Sequence, residues 1–331
     1  LSALLDNVTT VLLVTPVTLM VARELELNPY PLLFAEVFAS NIGGTSTLIG
    51  DPPNILIGSA TGLSFNDFVF NLAPVVCVIM ALQLLATHLI WGRKMRTNQA
   101  ARERVMAYRP ADAITDRGLL RQALVILAAV IGGFVSARAT GLEPGTVAMF
   151  GAAALMYLYI RGHHAEAQSS HVHEIFGEVE WVTIFFFVGL FMVVAGVEHA
   201  GLLGRLAEAL LSATEGDRTV TALVILWASA ILSAIIDNIP FVATMIPLIK
   251  NMGPSMGGNE ALMPLWWALS LGACLGGNGT LVGASANLTV AGLAERGGVP
   301  FKYLTYTKLA FPLMLGSVAV AHVYLYFQFL R

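Results

Sequence analysis

From Phe65 to Trp91 the chain carries one charged side chain, Asp67, and about 20 apolar residues are what an α-helix needs to cross the hydrocarbon of a bilayer. Residues 119–137, 145–160, 181–197 and 309–330 have the same character. No soluble core absorbs that many such runs, so the pattern dictates an all-α polytopic membrane protein. Composition agrees: 56% of the residues are hydrophobic and 12% are charged, against about 25% charged in a soluble domain. A soluble enzyme is thereby excluded, and the expected setting is a plasma or bacterial inner membrane. With 18 Lys and Arg against 21 Asp and Glu, no overall field recruits nucleic acid. The lipid bilayer is the first partner.

Residues 92–118 carry Arg93, Lys94, Arg96, Arg102, Arg104, Arg109 and Arg117 against Glu103, Asp112 and Asp116. The excess of cations places this segment in the cytoplasm. It divides the chain into a first unit (1–91), a basic linker (92–118) and a second unit (119–331). Residues 161–180 are rich in histidine and acid, with His163, His164, His171, His173 and Glu174, but their spacing matches no closed metal site. They read as a solvated loop, so no metal or cofactor is expected. Cys77 and Cys274 lie in apolar runs and read as packing residues.

Four stretches are apolar yet interrupted by polar or helix-breaking residues. Ser2, Ala3, Leu4, Leu5, Asp6 and Asn7 lead to Pro16, and Ser233, Ala234, Ile235, Ile236, Asp237 and Asn238 lead to Pro247. Further on, GGTSTLIGDPPN (43–54) aligns without gaps on GGNGTLVGASAN (276–287), with six identities. The offsets, 231 and 233, are nearly equal, so one long duplication accounts for both matches. Four spans lie between the copies, and if each Asp-Asn segment is the tip of a re-entrant hairpin, the repeats run in opposite directions. Each repeat then holds a hairpin and a discontinuous transmembrane helix. Because the second repeat has three spans before its hairpin, the first is expected to be truncated by roughly a hundred residues at its N-terminal side.

Unpaired backbone in hydrocarbon costs several kcal/mol per group, so the Gly-Asn breaks must line protein. Inverted repeats whose broken helices meet at midplane are how secondary transporters build a binding site. The candidate solute- and ion-binding residues are therefore Asp6, Asn7, Thr9, Asn41, Gly43, Thr45, Ser46, Thr47, Asp51 and Asn54, with Asp237, Asn238, Asn278, Thr280, Ser285 and Asn287. Carboxylates at membrane depth default to ion pathways, which makes Asp6, Glu36, Asp51 and Asp237 the proton-coupling candidates. Asp51 precedes Pro52 and Pro53, so a helix cap competes with an ion role there, and Asp6 and Asp237 face the same alternative. No Arg or Lys adjoins these groups in sequence, which suits a cation, a proton or a neutral hydroxylated solute better than a di-anion. An intramembrane aspartyl protease explains neither the duplication nor the breaks, and a channel has no need of two equivalent halves.

On the segments 5–16, 41–54 and 236–240, the sequence resembles the ion transporter superfamily. Within it the similarity is to the branch holding the arsenite permease ArsB, the sodium/proton antiporter NhaD and the melanosomal P protein. The resemblance implies two inverted repeats in which a transport domain moves against a scaffold, with hairpin tips at 6–9 and 237–240 and unwound regions at 41–54 and 276–287. The carboxylate and citrate symporters of the superfamily carry Ser-Asn-Thr at the tips, so Asp-Asn argues against a dicarboxylate. The expected activity is proton-coupled efflux of arsenite or antimonite, with sodium/proton antiport as the alternative, so the ligands are a small inorganic solute and H+ or Na+. The protein partners to be expected are a second copy of the chain and, for an arsenite exporter, an ATPase.

Overall fold

The structure is a computed structural model that describes residues 1–162 and 164–331; His163, and the side chains of Pro110, Asp112 and Ala165, lie outside the described residues. Among the described residues the regular elements are all helical. The first fifth of the chain forms α1 (Asn7–Glu24), α2 (Tyr30–Thr45) and α3 (Pro52–Thr61), followed by the long α4 (Phe65–Trp91) and the short α5 (Gln99–Ala107). Then come α6 (Arg117–Thr140), α7 (Pro144–Ile160), α8 (Ala165–Gly177), α9 (Trp181–His199) and α10 (Leu202–Ala213). The chain closes with α11 (Arg218–Ile235), α12 (Asn238–Met256), α13 (Met263–Gly276), α14 (Ser285–Arg296) and α15 (Tyr303–Leu325).

Five helices are long and apolar enough to span a bilayer: α4, α6, α9, α11 and α15 with its continuation to Leu330. The helix over the expected span 145–160 is shorter, 17 residues. The one not anticipated as a span is α11, whose 18 residues reach about 27 Å at 1.5 Å per residue. It nevertheless ends at the extended pair Ile236 and Asp237. The following α12 packs on α10, the helix that precedes α11, so the chain returns toward the side it came from, as a re-entrant hairpin does.

Compact packing groups residues 1–105 with 190–331, and residues 106–189 among themselves. In the second group α6 lies against α7, where Gly133 and Gly151 leave room for Val147 and Val130. Tyr159 meets His171 of α8 edge-on.

In the first group the duplication is legible helix by helix. α1 packs on α14 and α12 packs on α3, which are mirror-related contacts. Pro74 and Pro312 fall at the same distance from the starts of α4 and α15. Phe34 on α2 meets Trp91 at 5.1 Å and Tyr306 at 5.3 Å between ring centres. At the equivalent position on α13, Trp267 meets Phe68 at 5.3 Å and Phe329 at 6.2 Å. These six aromatics occupy three symmetry-related pairs, and edge-on or offset ring pairs of this kind add about 0.5–1.5 kcal/mol beyond area burial. They clamp α4 and α15 to the two broken helices at both ends. The basic segment is tied in as well: Arg104 of α5 bonds Glu26 at 2.9 Å, and the Thr97 hydroxyl donates to the Leu25 carbonyl.

Candidate functional site

Each break is held open by the same few hydrogen bonds. In the first, Asn54 Nδ2 donates to the carbonyls of Thr45 (3.1 Å) and Thr47 (2.9 Å). In the second, Asn287 Nδ2 donates to the carbonyls of Gly277 (2.7 Å) and Thr280 (2.8 Å). The Thr47 hydroxyl donates to the Ala3 carbonyl and the Thr280 hydroxyl to that of Ala234. Ser2 and Ser233 likewise donate to the carbonyls of Ser40 and Ala273. An unwound stretch inside a membrane protein must find partners for its backbone groups, and here the conserved chemistry of the two copies supplies them. Glycine is required where the backbones cross: a Cβ on Gly44 would sit 2.3 Å from the Gly50 carbonyl oxygen, and one on Gly283 2.7 Å from that of Gly277.

Between the breaks the two halves meet through side chains. Asp51 is fully buried, and its Oδ1 accepts from Nδ2 of both tip asparagines, Asn7 (3.2 Å) and Asn238 (3.3 Å). Asn7 Nδ2 also donates to Asn41 Oδ1. Asn41 Nδ2 crosses to the second break, donating to Asn278 Oδ1 (3.1 Å) and Asn287 Oδ1 (2.8 Å). In return the second half reaches the first: Ser270 Oγ (2.6 Å) and Cys274 Sγ (3.6 Å) donate to Asn54 Oδ1. Asn41 and Cys274 are equivalent positions, as are Asn287 and Asn54, so these crossings are related by the same symmetry. Three buried atoms in this cluster have no partner: Asp51 Oδ2, Asn7 Oδ1 and Asn278 Nδ2. Buried polar groups in native proteins are normally satisfied, and the two acceptors and one donor left open here have capacity for a further partner.

The carboxylates separate by role. Asp6 caps α1, accepting from the backbone N–H of Val8 and Thr9, both at 3.2 Å. Asp237 caps α12 through Ile239 N–H and also accepts from Ser285 Oγ at 3.0 Å. Asp51 occupies the cap position of α3 but makes no cap bond; its side chain turns instead to the two asparagines. The N-termini of α1, α3, α12 and α14 gather here, each carrying a positive end of about half a charge. Three of the four have an Asp at the cap, and the fourth has Ala284.

Several expected residues stand apart from the cluster. Glu36 faces α1, accepting from the hydroxyls of Thr15 and Thr18, in a groove of about 490 Å³ lined also by Thr10 and Ser40. The Thr9 side chain is exposed, and Thr10 is the buried one. Thr45 and Ser46 spend their hydroxyls on the carbonyls of Asn41 and Gly43, so with Gly43 they shape the break. Sequence reasoning missed Ser270, Cys274 and Tyr306. The last donates from α15 to the Asn278 carbonyl at 3.0 Å, and Cys274 read as a packing residue because a thiol in an apolar run gives no other signal.

The chain is similar in sequence to known proteins. The sequence pattern of the citrate transporter family matches residues 1–272. The chain belongs to that family. An uncharacterized transporter of Mycobacterium tuberculosis is 43% identical over 329 residues, which is 99% of this chain and 74% of that protein. A 46 kDa membrane protein of Mycobacterium leprae is 40% identical over 330 residues, 99% of this chain and 75% of the relative. The human P protein is 34% identical over 404 aligned positions, covering 98% of this chain and 47% of its own length. The chain is thus a multi-pass membrane transporter. The narrower likeness to arsenite permeases is not carried by these relatives, whereas that to the P protein is. Asp-Asn tips do not set the chain outside a family described by citrate transport, since the family match runs through the first tip and the second alike.

Proposed function

We propose that the chain is a coupled secondary transporter, in which Asp51 takes up the coupling cation, a proton or sodium, between the tips of the two hairpins. One observation supports this reading above the rest: a fully buried carboxylate held through one oxygen by an asparagine from each repeat, with its second oxygen free of any hydrogen bond. Hard cations choose such oxygens, and a proton needs only one of them. The surrounding amides, hydroxyls and the open Asn278 Nδ2 suit a small inorganic solute that is neutral or cationic. Asp51 in the hydrogen-bonded cluster, with the cap carboxylates Asp6 and Asp237 on the neighbouring tips and no basic side chain in the cluster, leaves a polyanion in need of a counter-charge.

Flux into proteoliposomes tests it. Under an imposed proton or sodium gradient, wild-type protein accumulates solute and Asp51→Asn loses the gradient dependence. Sodium, arsenite, antimonite and citrate are the four solutes to offer. Arsenite flux would favour the exporter reading and sodium-driven proton movement the antiporter. Gradient-driven flux unchanged in Asp51→Asn would end the assignment of Asp51.

A further inference from the structure

The cluster between the breaks is wholly buried, so a solute needs a route to it. A cavity of about 360 Å³ lies among α3, α9 and α12, lined by Leu56, Ser59, Val194, Glu198, Ile246 and Lys250 among others. Its floor is close to the cluster. Leu56 stands two residues beyond Asn54 on α3, and Ala243, also a lining residue, five beyond Asn238 on α12. At the rim are two opposite charges, Glu198 at the end of α9 and Lys250 on α12, both exposed and, among the described residues, without an ion-pair partner.

Lys250 stands twelve residues along α12 from Asn238, about 18 Å at 1.5 Å per residue, which puts its exposed ammonium at the outer edge of the hydrocarbon, where a charged rim faces water. The charge is not a demand of the fold, because the position equivalent to Lys250 in the first repeat is Leu19, on an α1 that packs against α14. Ser59 lies in the last turns of α3, at the end of the molecule where α4 begins; α4 runs from there to Trp91 and into the basic segment. With that segment cytoplasmic, the cavity opens to the opposite face.

We propose that this cavity is the extracytoplasmic vestibule of the transporter, and that Lys250 and Glu198 select by charge what enters it. The inference rests on the chain being a transporter but not on Asp51 being the coupling site. Labelling of single cysteines in intact cells tests it without knowledge of the solute, in a Cys77→Ser background with Cys274 retained. Ser59→Cys and Ile246→Cys should react with membrane-impermeant methanethiosulfonates added outside, while Met192→Cys, exposed on α9, should not if it faces lipid. At Ser59→Cys the ratio of anionic to cationic reagent rates should fall about tenfold in Lys250→Glu and rise in Glu198→Gln, the scale on which a charged cleft alters encounter rates. Failure of both Ser59→Cys and Ile246→Cys to react from outside would overturn the vestibule, and a rate ratio unmoved by both charge changes would overturn the filter. A Lys250→Glu protein that fails to fold leaves the Glu198→Gln arm to decide. Loss of coupling in Asp51→Asn with this labelling intact would separate the two proposals.

Discussion

Asn54→Ala is the substitution whose consequence the structure defines most sharply. The amide donates to the carbonyls of Thr45 and Thr47 and accepts from Ser270 Oγ, all within a fully buried site. Truncation leaves two carbonyls without a donor, and the Ser270 hydroxyl and Cys274 thiol without their acceptor. At about 1–3 kcal/mol for each buried group left unsatisfied, and allowing for partial relaxation of the break, the expected loss is about 3–5 kcal/mol. At about 2.1 cal/mol/K of unfolding entropy per residue, a chain of 331 residues loses about 1.4 °C in Tm per kcal/mol, so the purified protein in detergent should melt roughly 4–7 °C below wild type. The buried Cys274 thiol provides the assay: in a Cys77→Ser background, a fluorogenic maleimide reports unfolding as that thiol becomes reachable. Asn287→Ala, which strips the carbonyls of Gly277 and Thr280 in the second break, should cost a similar amount. A Tm within about 2 °C of wild type for both would refute the claim that these amides hold the breaks open.

Two further outcomes follow from the same geometry. Asp6→Ala removes a helix cap, so it should cost about 1 kcal/mol in thermal melts while gradient-driven flux in proteoliposomes survives; abolished flux at full stability would move Asp6 into the ion path. Gly44→Ala drives a methyl to 2.3 Å from the Gly50 carbonyl, whereas a Cβ on Gly43 meets nothing closer than 3.5 Å. Gly44→Ala should therefore yield little folded protein by detergent size-exclusion while Gly43→Ala elutes as wild type, and equal yields would mean that the backbone crossing is not tight.

Much of the candidate site was readable because duplication left a record in residue types. The paired Asp-Asn tips and Gly-Gly to Asn segments occupy the positions that symmetry requires, since only glycine tolerates the backbone crossing and only an amide of that length bridges two carbonyls of a break. Where chemistry diverged between the copies, the sequence is silent. Phe34 and Trp267 perform the same clamping, as do Trp91 and Phe329, but the pairs share only aromaticity. Asn41 and Cys274 make mirror-related crossings with unlike side chains. Glu36 groups with the other carboxylates by its place in an apolar run before the first break, yet it lies on the stretch of α2 that faces Thr15 and Thr18.

The order of residues determined that this chain spans a bilayer, that its ends are copies of one another, and that polar backbone is interrupted at matched places, because hydrophobic length and repeat spacing are properties of the chain itself. Which carboxylate caps a helix and which is presented to both repeats depended on three-dimensional placement. Asp6, Asp51 and Asp237 all stand at cap positions, and only the approach of Asn7 and Asn238 from two different hairpins turns Asp51 away from its own helix.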